Sequence, residues 1–252
     1  MQILAALAVG PVSLLYVYFT YGTLEPSRAG EIATAPTLLL GFVFMAVYLW
    51  RKKYITADGQ RYSPLSFSWL AWSALSGISA IFLIGALMSV LTFLPNWLEN
   101  TFDVLQSGWL GILSVALFGP VLEELLFRGA ITDALLKKYS PAKAILFSGL
   151  IFGIFHLNPV QVVSASLVGF LLAWIYYKTR SLIPCILIHV LNNSLSVYLS
   201  LKYPGLEEDL DFYSTPAMIA GLIVSALLLF LSLKKLNNYR ISDNNTNITI
   251  EL

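Results

Sequence analysis

The chain has 252 residues, 58% of them hydrophobic and only 12% charged, with a formal net charge of +1. A soluble domain is about half apolar and about a quarter charged, so this chain has too little polar surface to cover a water-soluble globule. Disorder needs low hydrophobicity and high net charge, and a nucleic-acid partner needs a basic stripe; both are excluded. The single cysteine, Cys185, excludes an internal disulfide framework and a Cys-rich zinc site. What remains is an integral membrane protein.

A helix crosses the hydrocarbon with about 20 mostly apolar residues. Eight segments meet that need, at 3–21, 34–50, 67–94, 108–136, 142–157, 160–177, 182–201 and 216–233. The first lacks a basic residue before Arg28, so it reads as a true span rather than a signal peptide. The third and fourth are long enough to tilt or project. The fifth is short and stops at Asn158-Pro159, because proline cannot continue a helix and restricts the residue before it. The expected fold is an all-α, polytopic bundle of about eight transmembrane helices around a polar catalytic cavity. Residues 1–240 form one integral membrane domain with a core at about 108–199, and the Asn-rich stretch 241–252 is expected to be a disordered cytoplasmic tail.

Charge placement tests this count. Twelve of the fifteen Lys and Arg residues fall in alternate loops: Arg51, Lys52, Lys53 and Arg61; Lys137, Lys138 and Lys143; Lys178 and Arg180; and Lys234, Lys235 and Arg240. The opposite loops hold Arg28 and Lys202, and Arg128 lies within the fourth span. Basic loops face the cytoplasm, which places both termini there in a multi-pass protein of the cell membrane. The acidic loop of Glu207, Glu208, Asp209 and Asp211 reads as a solvated loop.

Ionisable groups inside a membrane are costly, so each is a functional candidate. At depth the chain has Glu123, Glu124, Arg128 and its only two histidines, His156 and His189. Glu124 and Arg128 are four apart on one helical face and pair as a lock for the bundle. Glu123 points about 100° away and has Phe127 at i+4, so its carboxylate is left for general acid or base work. Phe152 precedes His156 by four, a position read as packing, and Asn193 follows His189 by four. Asn192 points elsewhere and reads as a local hydrogen-bond partner. Counted at about 1.5 Å per residue from Lys137, Lys143 and Arg180, the three groups lie roughly 21, 20 and 14 Å deep. Three helices thus deliver polar groups to a similar level.

Glu and two His can activate water in two ways. One uses zinc, with Glu123, His156 and His189 as ligands. The other uses Glu123 as base, aided by His156, with His189 and Asn193 donating to an oxyanion. The compact His-Glu-x-x-His signature and the Gly-x-Ser-x-Gly elbow are both absent. Cys185 lies four residues before His189, and reads as a small buried residue rather than a nucleophile.

Glu123-Glu124-x-x-x-Arg128, Phe152-x-x-x-His156 and His189-x-x-x-Asn193 resemble the three ordered motifs of the CPBP (Abi) family. That family comprises CAAX prenyl endopeptidases of the second type and bacteriocin-processing relatives. The flanking Leu125-Leu126-Phe127 and Gly129 fit the same pattern, and the resemblance runs from about Gly108 to Leu199. It implies an intramembrane endopeptidase with eight helices, in which Glu123, His156, His189 and Asn193 are catalytic and Glu124, Arg128 and Phe152 support them. It implies a peptide or protein substrate, in some members lipidated, met within membrane lipids. No metal is favoured, and zinc on Glu123, His156 and His189 is the alternative. A non-enzymatic membrane partner, such as a bacteriocin-immunity or assembly factor, would keep the fold with an idle site.

Overall fold

The computed structural model describes residues 1–54, 65–204 and 215–238. Among these there are nine helices and no strand. They are α1 (Gln2–Tyr21), α2 (Pro26–Arg51), α3 (Phe67–Val90), α4 (Glu99–Gln106), α5 (Trp109–Lys138), α6 (Pro141–Phe155), α7 (Pro159–Thr179), α8 (Ile183–Lys202) and α9 (Pro216–Asn237). Seven of them are long and apolar enough to cross a membrane, and α6 is a shorter apolar helix of 15 residues. The protein is therefore an all-α, polytopic integral membrane protein. The acidic loop, Arg61, Arg240 and the 241–252 tail lie outside the described residues.

The helix starts follow local chemistry. Pro26, Pro141, Pro159 and Pro216 each open a helix, where a missing N–H costs nothing and the fixed φ is already helical. Ser66 and Thr215 cap α3 and α9 by accepting the N–H of Trp69 and Met218, both at 3.3 Å. Gly22 closes α1 at φ 75°, a left-handed position that glycine takes without a Cβ penalty.

Two elements differ from expectation. α2 begins at Pro26, eight residues before the apolar segment, because its first turns carry Arg28 and Glu31 yet have nothing to break a helix. The expected third span ends at Val90, not Leu94, and the following linker leads into the short α4.

The bundle pairs α1 with α2, α6 with α7 and α3 with α9, while α8 packs against α3 and α5. Trp69, Leu172, Ile175, Tyr176, Leu182 and Ile188 form the central apolar cluster. α6 and α7 cross backbone to backbone. A Cβ on Gly153 would stand 2.5 Å from the Val162 carbonyl oxygen and 2.9 Å from the Ser166 nitrogen, and one on Gly169 would stand 3.0 Å from the Gly149 Cα. Small residues four apart allow such approach in a lipid environment, where packing rather than burial from water holds helices together.

Candidate active site

α5 carries the two glutamates between two π-helical turns, at Ser114–Phe118 and Phe127–Thr132. The first turn follows from the sequence. Pro120 lacks an N–H and its ring would clash with the carbonyl four residues earlier, so the helix widens just ahead of it. The Gly119 N–H then bonds Ser114 O, and the Val115 carbonyl, whose partner in a π turn would be residue 120, meets a proline instead. Asn193 on α8 fills the gap, its Nδ2 donating to Val115 O at 3.0 Å. In the second turn the Thr132 hydroxyl donates to Phe127 O at 2.8 Å and lies 2.6 Å from Ser148 Oγ on α6.

The Glu124–Arg128 pair forms as its spacing predicts, with Nη1 to Oε1 at 2.7 Å and both residues fully buried. Its neighbours were not legible. Arg128 Nη2 donates to the Gly169 carbonyl at 3.2 Å, which the close α6–α7 crossing makes reachable, and the guanidinium lies 4.4 Å over the Phe152 ring. Glu124 Oε1 also lies 2.8 Å from His189 Nδ1. A carboxylate beside a guanidinium can only accept, so His189 Nδ1 is the N–H donor. Glu124 thus fixes the tautomer and direction of a histidine on another helix.

His156 is fixed in the same way. Its Nδ1 lies 2.9 Å from the Phe152 carbonyl, which must accept, so Nδ1 carries the hydrogen. Both rings therefore turn Nε2 toward Glu123, whose Oε2 lies 3.7 Å from His189 Nε2 and 4.0 Å from His156 Nε2. Phe152 packs edge-on to both rings, with centroids 5.0 and 5.5 Å away. The sequence-predicted residues Glu123, Glu124, Arg128, Phe152, His156 and His189 are thus one contiguous cluster. Asn193 joins it through α5, and its Oδ1 accepts from Asn192 at 3.0 Å. The side chains of Glu123 and His156 stay 18% and 21% exposed, whereas Glu124 has no exposure. Two apolar hollows of about 550 and 700 Å³ lie against other helix faces and touch none of these residues. Cys185 is buried with its thiol donating to Leu172 O at 3.4 Å, as a packed core residue would be.

Sequence reasoning missed Asn158. It is fully buried just beyond His156, accepting the Trp97 N–H and donating to Asn96 Oδ1, both at 2.9 Å. Between them Leu157 adopts φ 53°, a left-handed conformation that costs energy without glycine. The only sequence signal was an Asn before a Pro, which reads equally as a simple turn.

A zinc ion would draw on Glu123, His156 and His189. Bonds of about 2.0–2.1 Å at tetrahedral angles place ligand atoms roughly 3.3–3.4 Å apart. The separations here are 3.7 and 4.0 Å, and no group of three or more His, Cys, Asp or Glu among the described residues is arranged to hold a metal. Both Glu123–histidine separations are thus wider than the tetrahedral span.

Residues 104–195 match the sequence profile of the family described as "Type II CAAX prenyl endopeptidase Rce1-like". A Bacillus subtilis (strain 168) protein with the name "Putative membrane peptidase YdiL" is 35% identical over 107 residues, which cover 41% of this chain and 44% of that protein. The chain thus spans less than half the length of this curated relative. No solved structure matches. The matched stretch contains Glu123, Glu124, Arg128, Phe152, His156, His189 and Asn193. Ordered on three helices and gathered at one point, they carry the likeness of residues 104–195 to the Rce1-like type II CAAX prenyl endopeptidases.

Proposed function

We propose that the protein is an intramembrane endopeptidase in which Glu123 activates water. One observation carries this reading: Glu123 Oε2 faces two imidazole Nε2 atoms at 3.7 and 4.0 Å, while the neighbouring Glu124 is committed to Arg128 and His189. A water about 2.8 Å from Glu123 Oε2 and from an imidazole nitrogen fits such spacings at an angle of about 80–90°.

In this mechanism the water hydrogen-bonds to Glu123 and to His156 Nε2. Glu123 takes a proton as the water oxygen bonds to the scissile carbonyl carbon, and the C=O electron pair moves onto oxygen. His189 donates to that oxyanion from Nε2, which requires a second ring proton beside the one on Nδ1. Asn193 retains a second amide N–H for the same oxygen. Glu123 then returns its proton to the leaving amine as the C–N bond breaks.

The substrate in this reading is a peptide or protein, and the family description points to a prenylated C-terminal segment. The catalytic type favoured is glutamate-dependent. The test is cleavage of a farnesylated Cys-aliphatic-aliphatic-X peptide, and of its unprenylated twin, by the full chain in liposomes. Glu123→Gln should lower the rate by about 10²-fold or more, as loss of a general base does. Cleavage by Glu123→Gln at the wild-type rate would overturn the reading, and would favour a non-enzymatic role. A rate unchanged by chelator supports the glutamate type, and a rate restored only by zinc refutes it.

A further inference from the structure

The Glu123 cluster meets α7 through the Gly169 carbonyl, and another face of that helix bounds a separate hollow. Gly169 turns its carbonyl to Arg128, while Phe170, adjacent and about 100° round the helix, lines a crevice of about 700 Å³ between α3, α6, α7 and α9. Its walls are apolar, among them Leu83, Leu171 and Leu229. One end is different: Lys234 and Asn237, in the last turn of α9 and just at its close, complete the lining there. Along α9 the walls run from Leu229 to Asn237, about 12 Å at 1.5 Å per residue, which is within one leaflet.

The ends of the helices that wall the crevice carry further lysines. Lys143 opens α6, Lys178 closes α7, and Lys234 and Lys235 close α9. None of the four is in an ion pair among the described residues. No acidic side chain among the described residues lines the crevice. An ammonium at the mouth of an intramembrane groove, with a carboxamide beside it, suits a phosphodiester headgroup whose chain lies along the apolar wall.

We propose that this crevice is a binding site for one anionic glycerophospholipid of the basic-side leaflet. Its phosphate meets Lys234 and Asn237, and an acyl chain fills the groove toward mid-membrane. The site is independent of the proteolytic reading, because none of its lining residues belongs to the Glu123 cluster.

The test uses the full-length chain in mild detergent with equal amounts of phosphatidylglycerol and phosphatidylcholine of matched chains, and native mass spectrometry to identify retained lipid. Wild type should retain phosphatidylglycerol with a preference of about fivefold, the effect of one lysine at a membrane surface. Lys234→Gln should bring that preference near unity, and Leu233→Trp should expel the lipid by filling the groove. Lys202→Gln, in the last turn of α8 and lining neither hollow, should change nothing. Lys234 is exposed, so its variant will fold and carries the test even if Leu233→Trp does not. Four results would each overturn the proposal. They are no preference in wild type, a preference that survives Lys234→Gln, displacement of the lipid by inorganic phosphate, and a second copy of the chain occupying the face without lipid.

Discussion

Glu123 and Glu124 are adjacent in sequence and opposite in character. Glu124 is fully buried and bonded to Arg128 and His189, whereas Glu123 is partly open and makes no contact shorter than 3.7 Å to either histidine. Removing charge from each should therefore fail differently. Glu124→Gln leaves Arg128 as an uncompensated buried cation, which costs about 3–5 kcal/mol. Thermal unfolding in detergent should show a clear fall in melting temperature. Glu123→Gln should unfold within a few degrees of wild type while losing activity. An equal loss of stability in both would show that Glu123 is a structural partner. Half of this contrast was legible, because the i,i+4 spacing of Glu124 and Arg128 is set by helix geometry alone. The bond from Glu124 to His189 was not, since it depends on how α5 and α8 rotate against each other. Asn158 was illegible for the same reason: its partners Trp97 and Asn96 lie some sixty residues away.

Helices place these side chains through two devices, a widened helix and a close crossing. Hydropathy located the spans and Asn158-Pro159 fixed the end of α6, but the π turns of α5 have no hydropathic trace. The first was recoverable in principle from Pro120 and the carbonyl it strands, which Asn193 then binds. The crossing of α6 and α7 was marked only by Gly149-x-x-x-Gly153, a pattern too common to assign alone. It carries a prediction. A side chain at 153 meets the backbone of Val162 and Ser166, so relief requires the helices to part. Gly153→Val should cost about 1–3 kcal/mol as overpacking. Because Arg128 reaches Gly169 O across this crossing, activity should fall as well. Gly10, whose built Cβ meets nothing within 4 Å, is the control, and Gly10→Val should leave both melting temperature and activity unchanged.

Across the whole molecule, scarcity of charge organises both orientation and chemistry. Among the described residues the cations lie at or near helix ends, and the one at depth is Arg128, paired with Glu124. Short links reinforce the alternation: α5 to α6, α6 to α7 and α7 to α8 are each joined by two or three residues, so these helices run antiparallel. The positive-inside rule then predicts that Lys53 emerges on the cytoplasmic face and Lys202 on the opposite one. The native thiol makes this measurable without a cysteine-free background, because Cys185 is fully buried and its hydrogen is donated to Leu172 O. In intact cells of the native host, a membrane-impermeant maleimide should label Lys202→Cys and spare Lys53→Cys. After lysis it should label both. Labelling of Lys53→Cys in intact cells would invert the topology, and would put the phospholipid crevice in the outer leaflet.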